Sequence, residues 1–242
     1  MINKFKKHIL LACAVLSISA SGQATTVYLR DTPTSGHFVP GLSQNNVGSI
    51  NNSWNGTAGT LDLELSLTSS TSGFFSLLTY CIDPVRSLAV GPANGTGSAF
   101  SLISMLSYFT NYTPAVANAG TTTDNIQKLW ANAFTDSKTT DTKAAAFQFL
   151  LWEYIADSAS FDLDSGVIKV TSSSVKAQAN AWNSAMANWT SVADLSVVSG
   201  FNTKQSFIYE PVGTGTNENV PEPGTYALIG AGLFTLGYFR RK

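Results

Sequence analysis

Residues 141–157, DTKAAAFQFLLWEYIAD, decide the class of the fold, because they carry a helix through the middle of a chain whose flanks alternate like strands. Ala144, Phe147, Leu151, Trp152 and Ile155 follow the i, i+3, i+4, i+7 spacing of a buried stripe, so the spacing predicts a helix with that face in the core. Gln148 falls at the centre of the stripe. A buried amide without a partner costs roughly 1 to 3 kcal/mol on protein mutational scales. Gln148 must therefore meet either a satisfied hydrogen-bond network or a reactive group, and the reactive candidate is Cys81.

Working outward, residues 61–67 (LDLELSL) alternate strictly and predict a half-buried strand, with Asp62 and Glu64 on its solvated face. A short Ser/Thr/Gly turn leads to a second strand over residues 74–82, an antiparallel hairpin that puts Phe75, Leu77, Thr79 and Cys81 on one face. Pro84 cannot continue a central ladder, so Cys81 lies near the end of its strand. Residues 26–30 predict a further strand, and residues 31–59, rich in Gly, Asn and Ser, a loop.

Helices are expected over residues 99–109, over 124–134 with Thr123 or Asp124 as N-cap, and over 174–189, where Trp182 and Trp189 belong to the core. Residues 195–198 and 205–210 return to strand character. The predicted fold is α+β: an antiparallel sheet built from the N- and C-terminal strands, with a central cluster of about four helices.

The two ends are separate segments. Residues 1–24 combine Lys4, Lys6 and Lys7, an apolar run and a small-x-small exit at Gly22-Gln23-Ala24, which predicts a cleaved signal peptide. Residues 25–210 form a single exported domain, 211–219 a flexible linker, and 220–242 a tail whose apolar run over 224–239 predicts a transmembrane helix closed by Arg240, Arg241 and Lys242. Between the ends stand eight basic and fourteen acidic residues, 8 − 14 = −6. With no basic stripe to contact phosphates, nucleic acid is excluded as a partner.

Val220-Pro221-Glu222-Pro223, the single apolar run and the terminal basic cluster resemble the PEP-CTERM sorting signal of Gram-negative bacteria that make exopolysaccharide. That resemblance implies processing by an exosortase, a membrane protease-transpeptidase. It further implies a membrane-anchored stage, followed by a place at the cell surface or in the extracellular matrix. It covers the tail alone and gives a destination, not an activity.

Cysteine usage is the sharpest compositional fact. Cys13 leaves with the signal peptide, so the mature chain keeps one cysteine, Cys81, in an oxidising compartment where cysteines normally pair. It is a small buried hydrophobe, a disulfide to another chain, a nucleophile, or a partner to some other side chain. Tyr80-Cys81-Ile82-Asp83 followed by Gln148 four residues before Trp152 resembles the Cys-Gln thioester domains of bacterial surface adhesins. By that resemblance Cys81 supplies the sulfur, Gln148 the acyl carbon, and Trp152 packs over the bond. Two positions depart from the adhesin pattern: Phe147 stands where Thr is usual and Leu150 where Ala is usual. The helix is also similar to an Ala-Ala-x-Gln-x-x-x-Trp-Glu pattern in other PEP-CTERM proteins.

Asp83 and Glu153 are the acids near the pair that could shuttle a proton, although a solvated surface role weighs more for either. Three functions follow as expectations. The first is a surface protein that attaches covalently through a one-shot thioester to a nucleophile-bearing surface or matrix molecule. The second is a structural, biofilm-matrix-associated protein without bond chemistry. The third and weakest is a cysteine hydrolase, which needs a His base, and the mature chain has only His37. No enzyme activity, cofactor or metal is expected; a lone His without a second His or Cys does not make a transition-metal site.

Overall fold

The computed structural model describes residues 24–211, apart from 34–37, 51–55, 84–85, 113–115, 158–160 and 202. The expected signal peptide, His37, the linker beyond residue 211 and the sorting tail with its expected span over 224–239 lie outside the described residues. Among the described residues, no helix is long and apolar enough to cross a membrane.

The strands of the main sheet are β1 (Thr25–Asp31), β2 (Phe38–Asn45), β4 (Thr57–Ser66), β5 (Phe75–Thr79), β6 (Ser98–Ser104), β8 (Ser196–Ser199) and β9 (Phe207–Tyr209). A small second sheet pairs β3 (Gly48–Ile50) with β7 (Ile168–Val170). The helices are α1 (Met105–Asn111), α2 (Ala119–Ser137), α3 (Asp141–Ala156) and α4 (Ser173–Ala185). Both ends of the chain contribute strands and the middle contributes helices, as the pattern predicts.

All pairings in the main sheet are antiparallel, in the order β2-β4-β1-β6-β8-β9, with β5 added on β4. At Leu63 and Leu65, β4 is flanked by β1 on one side and β5 on the other. The sheet then curls until it meets itself. Past Thr79 the β5 chain leaves β4 and bonds to β9: Cys81 bridges Phe207, the Ile82 amide donates to the Ser206 carbonyl at 2.9 Å, and the Ile208 amide donates to the Tyr80 carbonyl at 3.3 Å. Cys81 thus sits on the seam where the two ends of the sheet join. The ladder on β4 begins at Phe75 and stops three residues before the end of the expected strand over 74–82, because Tyr80 to Ile82 take β9 as their partner.

Period-two alternation gives the curled sheet two apolar faces. Val27, Leu29, Leu63, Leu77, Phe100 and Phe207 fill its inner face together with Cys81. Tyr80, Ile82, Val197 and Ile208 point the other way, into the helices. Phe75, expected on the core face, is instead 37% exposed at the start of its strand.

Helix α3 starts where the sequence places it, with the Thr140 side chain capping the Lys143 amide at 3.2 Å and Asp141 in the first turn. The expected stripe is too narrow a description. Every residue from Ala144 to Ile155 is buried, because α3 lies between strands β2 and β4 on one side and helices α2 and α4 on the other. A helix apolar all round is a core helix. On its β3 side the approach is so close that a Cβ on Gly48 would lie 2.5 Å from the Phe149 ring and 2.3 Å from the Lys169 carbonyl.

Three other expectations need correction. Residues 31–59 are not simply a loop, since β2 and β3 lie there, short strands without strong alternation. The helix expected over 99–109 begins only at Met105. Residues 98–104 pair with β1 and β8, and the Ser104 hydroxyl then caps the Ser107 amide at 3.2 Å. Helix α2 starts at Ala119 after a left-handed Asn118, so Thr123 is inside it and donates back to the Ala119 carbonyl instead of capping.

Candidate functional site

The site is built from two elements distant in sequence, the end of β5 and the middle of α3. The Gln148 side chain and the Cys81 peptide close a ring of two hydrogen bonds. The Cys81 amide donates to Gln148 Oε1 at 3.1 Å, and Gln148 Nε2 donates to the Cys81 carbonyl at 2.6 Å. Trp152, one helical turn further on, donates its Nε1–H to the same carbonyl at 3.0 Å. Gln148, 1% exposed, therefore has the partner its burial demands, and that partner is the residue singled out in the sequence.

Cys81 is a free thiol, buried on the inner face of the sheet. The Asp83 amide donates to its Sγ at 3.3 Å. Burial pushes the Cys81 thiol well above its ordinary range; the Asp83 amide acts in the opposite sense and the Asp83 charge adds to the rise. At neutral pH the group is a thiol, not a thiolate.

The two acids named beside the pair are both buried, which overturns their expected solvated role. Asp83 is 0% exposed, ion-paired with Arg86 and accepting a hydrogen bond from the Tyr112 hydroxyl at 3.0 Å. The Arg86 guanidinium in turn lies 5.4 Å over the Tyr112 ring. A buried carboxylate needs such partners, and Asp83 has found them within a few residues and across to the end of α1. Glu153 is 1% exposed and accepts the Asp162 amide on Oε1 at 2.8 Å.

A cavity of about 230 Å³ opens over the pair, with Cys81, Gln148 and Trp152 among its lining. Phe38, Leu61 and Leu88 make apolar walls, and Arg86 and Gln205 add polar groups. Phe38, Leu88 and Gln205 come from segments whose sequence gave no sign of a site. Only the curling of the sheet brings them together.

The comparisons bear on the tail. Residues 219–242 match the family described as the PEP-CTERM protein-sorting motif. That match includes Pro221, Glu222, Pro223, Arg240 and Arg241, and it marks an exported protein that is processed by exosortase and sorted to the cell surface. A search of curated proteins found no match.

Proposed function

We propose, from the premise that an exosortase-sorted chain works outside the cell, that this is a surface protein whose Cys81 and Gln148 form an internal thioester for covalent attachment. The observation that carries the reading is the two-bond ring between the Gln148 amide and the Cys81 peptide, beneath a mostly apolar cavity. Sulfur attacks Gln148 Cδ, the S–C bond forms, and the C–N bond breaks. Nε2 leaves as ammonia, taking the thiol proton as its third hydrogen.

Each atom that changes charge has a partner in the resting arrangement. The Cys81 amide faces Oε1, where negative charge develops as sulfur adds, and the Asp83 amide faces Sγ. The Cys81 carbonyl holds the departing nitrogen. The ring holds the Cys81 peptide, and not yet its sulfur, against the Gln148 amide; a turn of the side chain that brings Sγ onto Cδ from there would draw on roughly 7 to 11 kcal/mol of proximity. The raised thiol argues for a slow, single maturation and against turnover, so we propose a reagent and not an enzyme. An amine on a surface or matrix molecule would then attack the acyl carbon, leaving an amide on Gln148 and a free thiol on Cys81.

A second reading has its own support. Both polar atoms of the Gln148 amide are already paired, so an intact amide is stable as a clamp that ties the seam to α3, in a matrix-associated protein without bond chemistry. Intact mass of the purified protein with and without methylamine, beside Cys81→Ala, separates the two. A mass short by one ammonia, converted to the methylamide only when Cys81 is present, supports the thioester. A full mass with a free thiol eliminates it and leaves the clamp.

A further inference from the structure

Helix α3 carries a second buried polar group that the Cys81–Gln148 pair does not use. The Glu153 carboxyl is 1% exposed; its Oε1 accepts the Asp162 amide at 2.8 Å, and its Oε2 is buried with no hydrogen-bond partner. The charges acting on it are two further carboxylates, Asp157 at the end of α3 and Asp162 in the segment leading to β7. Neither lysine on the elements packed against this end of the helix is among the charges that act on Glu153. Lys176 of α4 is ion-paired with Asp164, and Lys169 of β7 stands on the strand face opposite the buried Ile168 and Val170. The hydroxyl of neighbouring Tyr154 donates to Asn183 of α4.

A carboxylate in this position would be unsolvated, half-paired and flanked by like charge. A cation does not resolve that conflict: Asp162 spends Oδ1 on the Asp164 amide and Oδ2 on the Ser165 hydroxyl, and among the described residues no group of three His, Cys, Asp or Glu could hold a metal ion. A proton does resolve it.

We infer that Glu153 is a proton-operated latch. As a neutral acid it stays buried beneath residues 161–166; on ionising, the loss of solvation and the Asp157 and Asp162 charges outweigh the firmer bond from the Asp162 amide, and the segment opens to let water reach the carboxylate. Burial, with Asp157 and Asp162 adding to it, raises the Glu153 pKa from 4.5 to about 7, so the change falls in a range that an exported protein meets outside the cell. The segment it governs is otherwise tied down by Leu163, which is buried and accepts the Val170 amide at 2.9 Å. Its release uncovers Glu153 near the C-terminal end of the helix on which Gln148 stands.

The test is hydrogen exchange of the full chain, read by mass spectrometry on the peptide spanning residues 161–167 as protection factors from about pH 5.5 to 8.5. A loss of protection of about tenfold centred near pH 7, absent in Glu153→Gln, is the expected result. Protection that stays constant across the range, or that falls equally in Glu153→Gln, overturns the latch. Should the glutamine variant not fold, the unaltered protein decides: a ¹³C carboxyl midpoint of Glu153 near 7 that coincides with the loss of protection upholds the proposal, and a carboxyl midpoint near 4.5, or two midpoints that do not coincide, overturns it.

Discussion

Gln148 and Trp152 converge on one carbonyl, so their contributions can be separated by substitution. Gln148→Ala removes a donor from the Cys81 carbonyl and the sole side-chain acceptor of the Cys81 amide, while Trp152 still serves the carbonyl. The buried amide is then unpaired, and unfolding in urea is expected to show a loss of about 1 to 3 kcal/mol. Trp152→Phe keeps most of the ring that packs edge-on against Phe149 at 5.3 Å, but gives up the Nε1–H. It is expected to cost less, about 1 kcal/mol, and to leave the Cys81 amide paired. Equal losses for the two variants would mean that ring volume, not the hydrogen-bond ring, holds the seam. The partner of Gln148 was legible in the sequence because two independent anomalies, an unpaired exported cysteine and a polar residue in an apolar stripe, pointed at each other. The burial of Asp83 and Glu153 was not legible, because an acid beside apolar residues looks the same whether it faces water or, as here, the Tyr112 hydroxyl for one and the Asp162 amide for the other, both brought in by the fold.

At the scale of elements, legibility followed the strength of local periodicity. Helix α3 and the β4–β5 hairpin carry the longest patterns and occur in those segments, although β5 ends at Thr79 and the buried surface of α3 is wider than one stripe. Strands β2, β3 and β7 lie in segments of Gly, Asn, Ser and Asp, and are strands because of what they pair with. The clearest case is β3, whose Gly48 leaves room for Phe149 of α3 and the Lys169 carbonyl of β7. Gly48→Ala would drive a methyl against backbone, which cannot yield as a side-chain end can. It is expected to destabilise by about 1 to 3 kcal/mol and to raise exchange in β3 and β7 ahead of the main sheet. Unchanged stability would show that this small sheet is not fastened to α3. The helix entry offers a milder test: Thr140→Ala removes the cap on Lys143 and should cost about 1 kcal/mol in the same urea assay.

For the molecule as a whole, the strand that closes the sheet on Cys81 is also the last among the described residues. The chain passes from β9 through Glu210, whose carboxylate accepts the Trp130 indole N–H at 2.9 Å, toward the matched sorting motif. Replacing Pro221, Glu222 and Pro223 by Ala is expected to leave the fold and its urea midpoint unchanged while the full-length, unprocessed chain accumulates; normal processing of that variant would place recognition elsewhere in the tail.

The pH dependence of global stability completes the argument, and its sign follows from Glu153. A carboxyl whose folded pKa is raised binds its proton more tightly in the folded chain than in the unfolded one, so it favours folding less as pH rises. The penalty begins near 4.5, grows toward about 7 and is complete above that, at most about 3 kcal/mol for a shift of this size. Asp162, half-buried and held low by the Ser165 hydroxyl and the Asp164 amide, acts in the opposite sense at more acid pH. Urea unfolding of the unaltered protein should therefore lose stability between those two limits, and Glu153→Gln should flatten that slope. A stability that rises with pH across the same interval would mean that Glu153 is ionised in the folded chain, with a partner for its second oxygen.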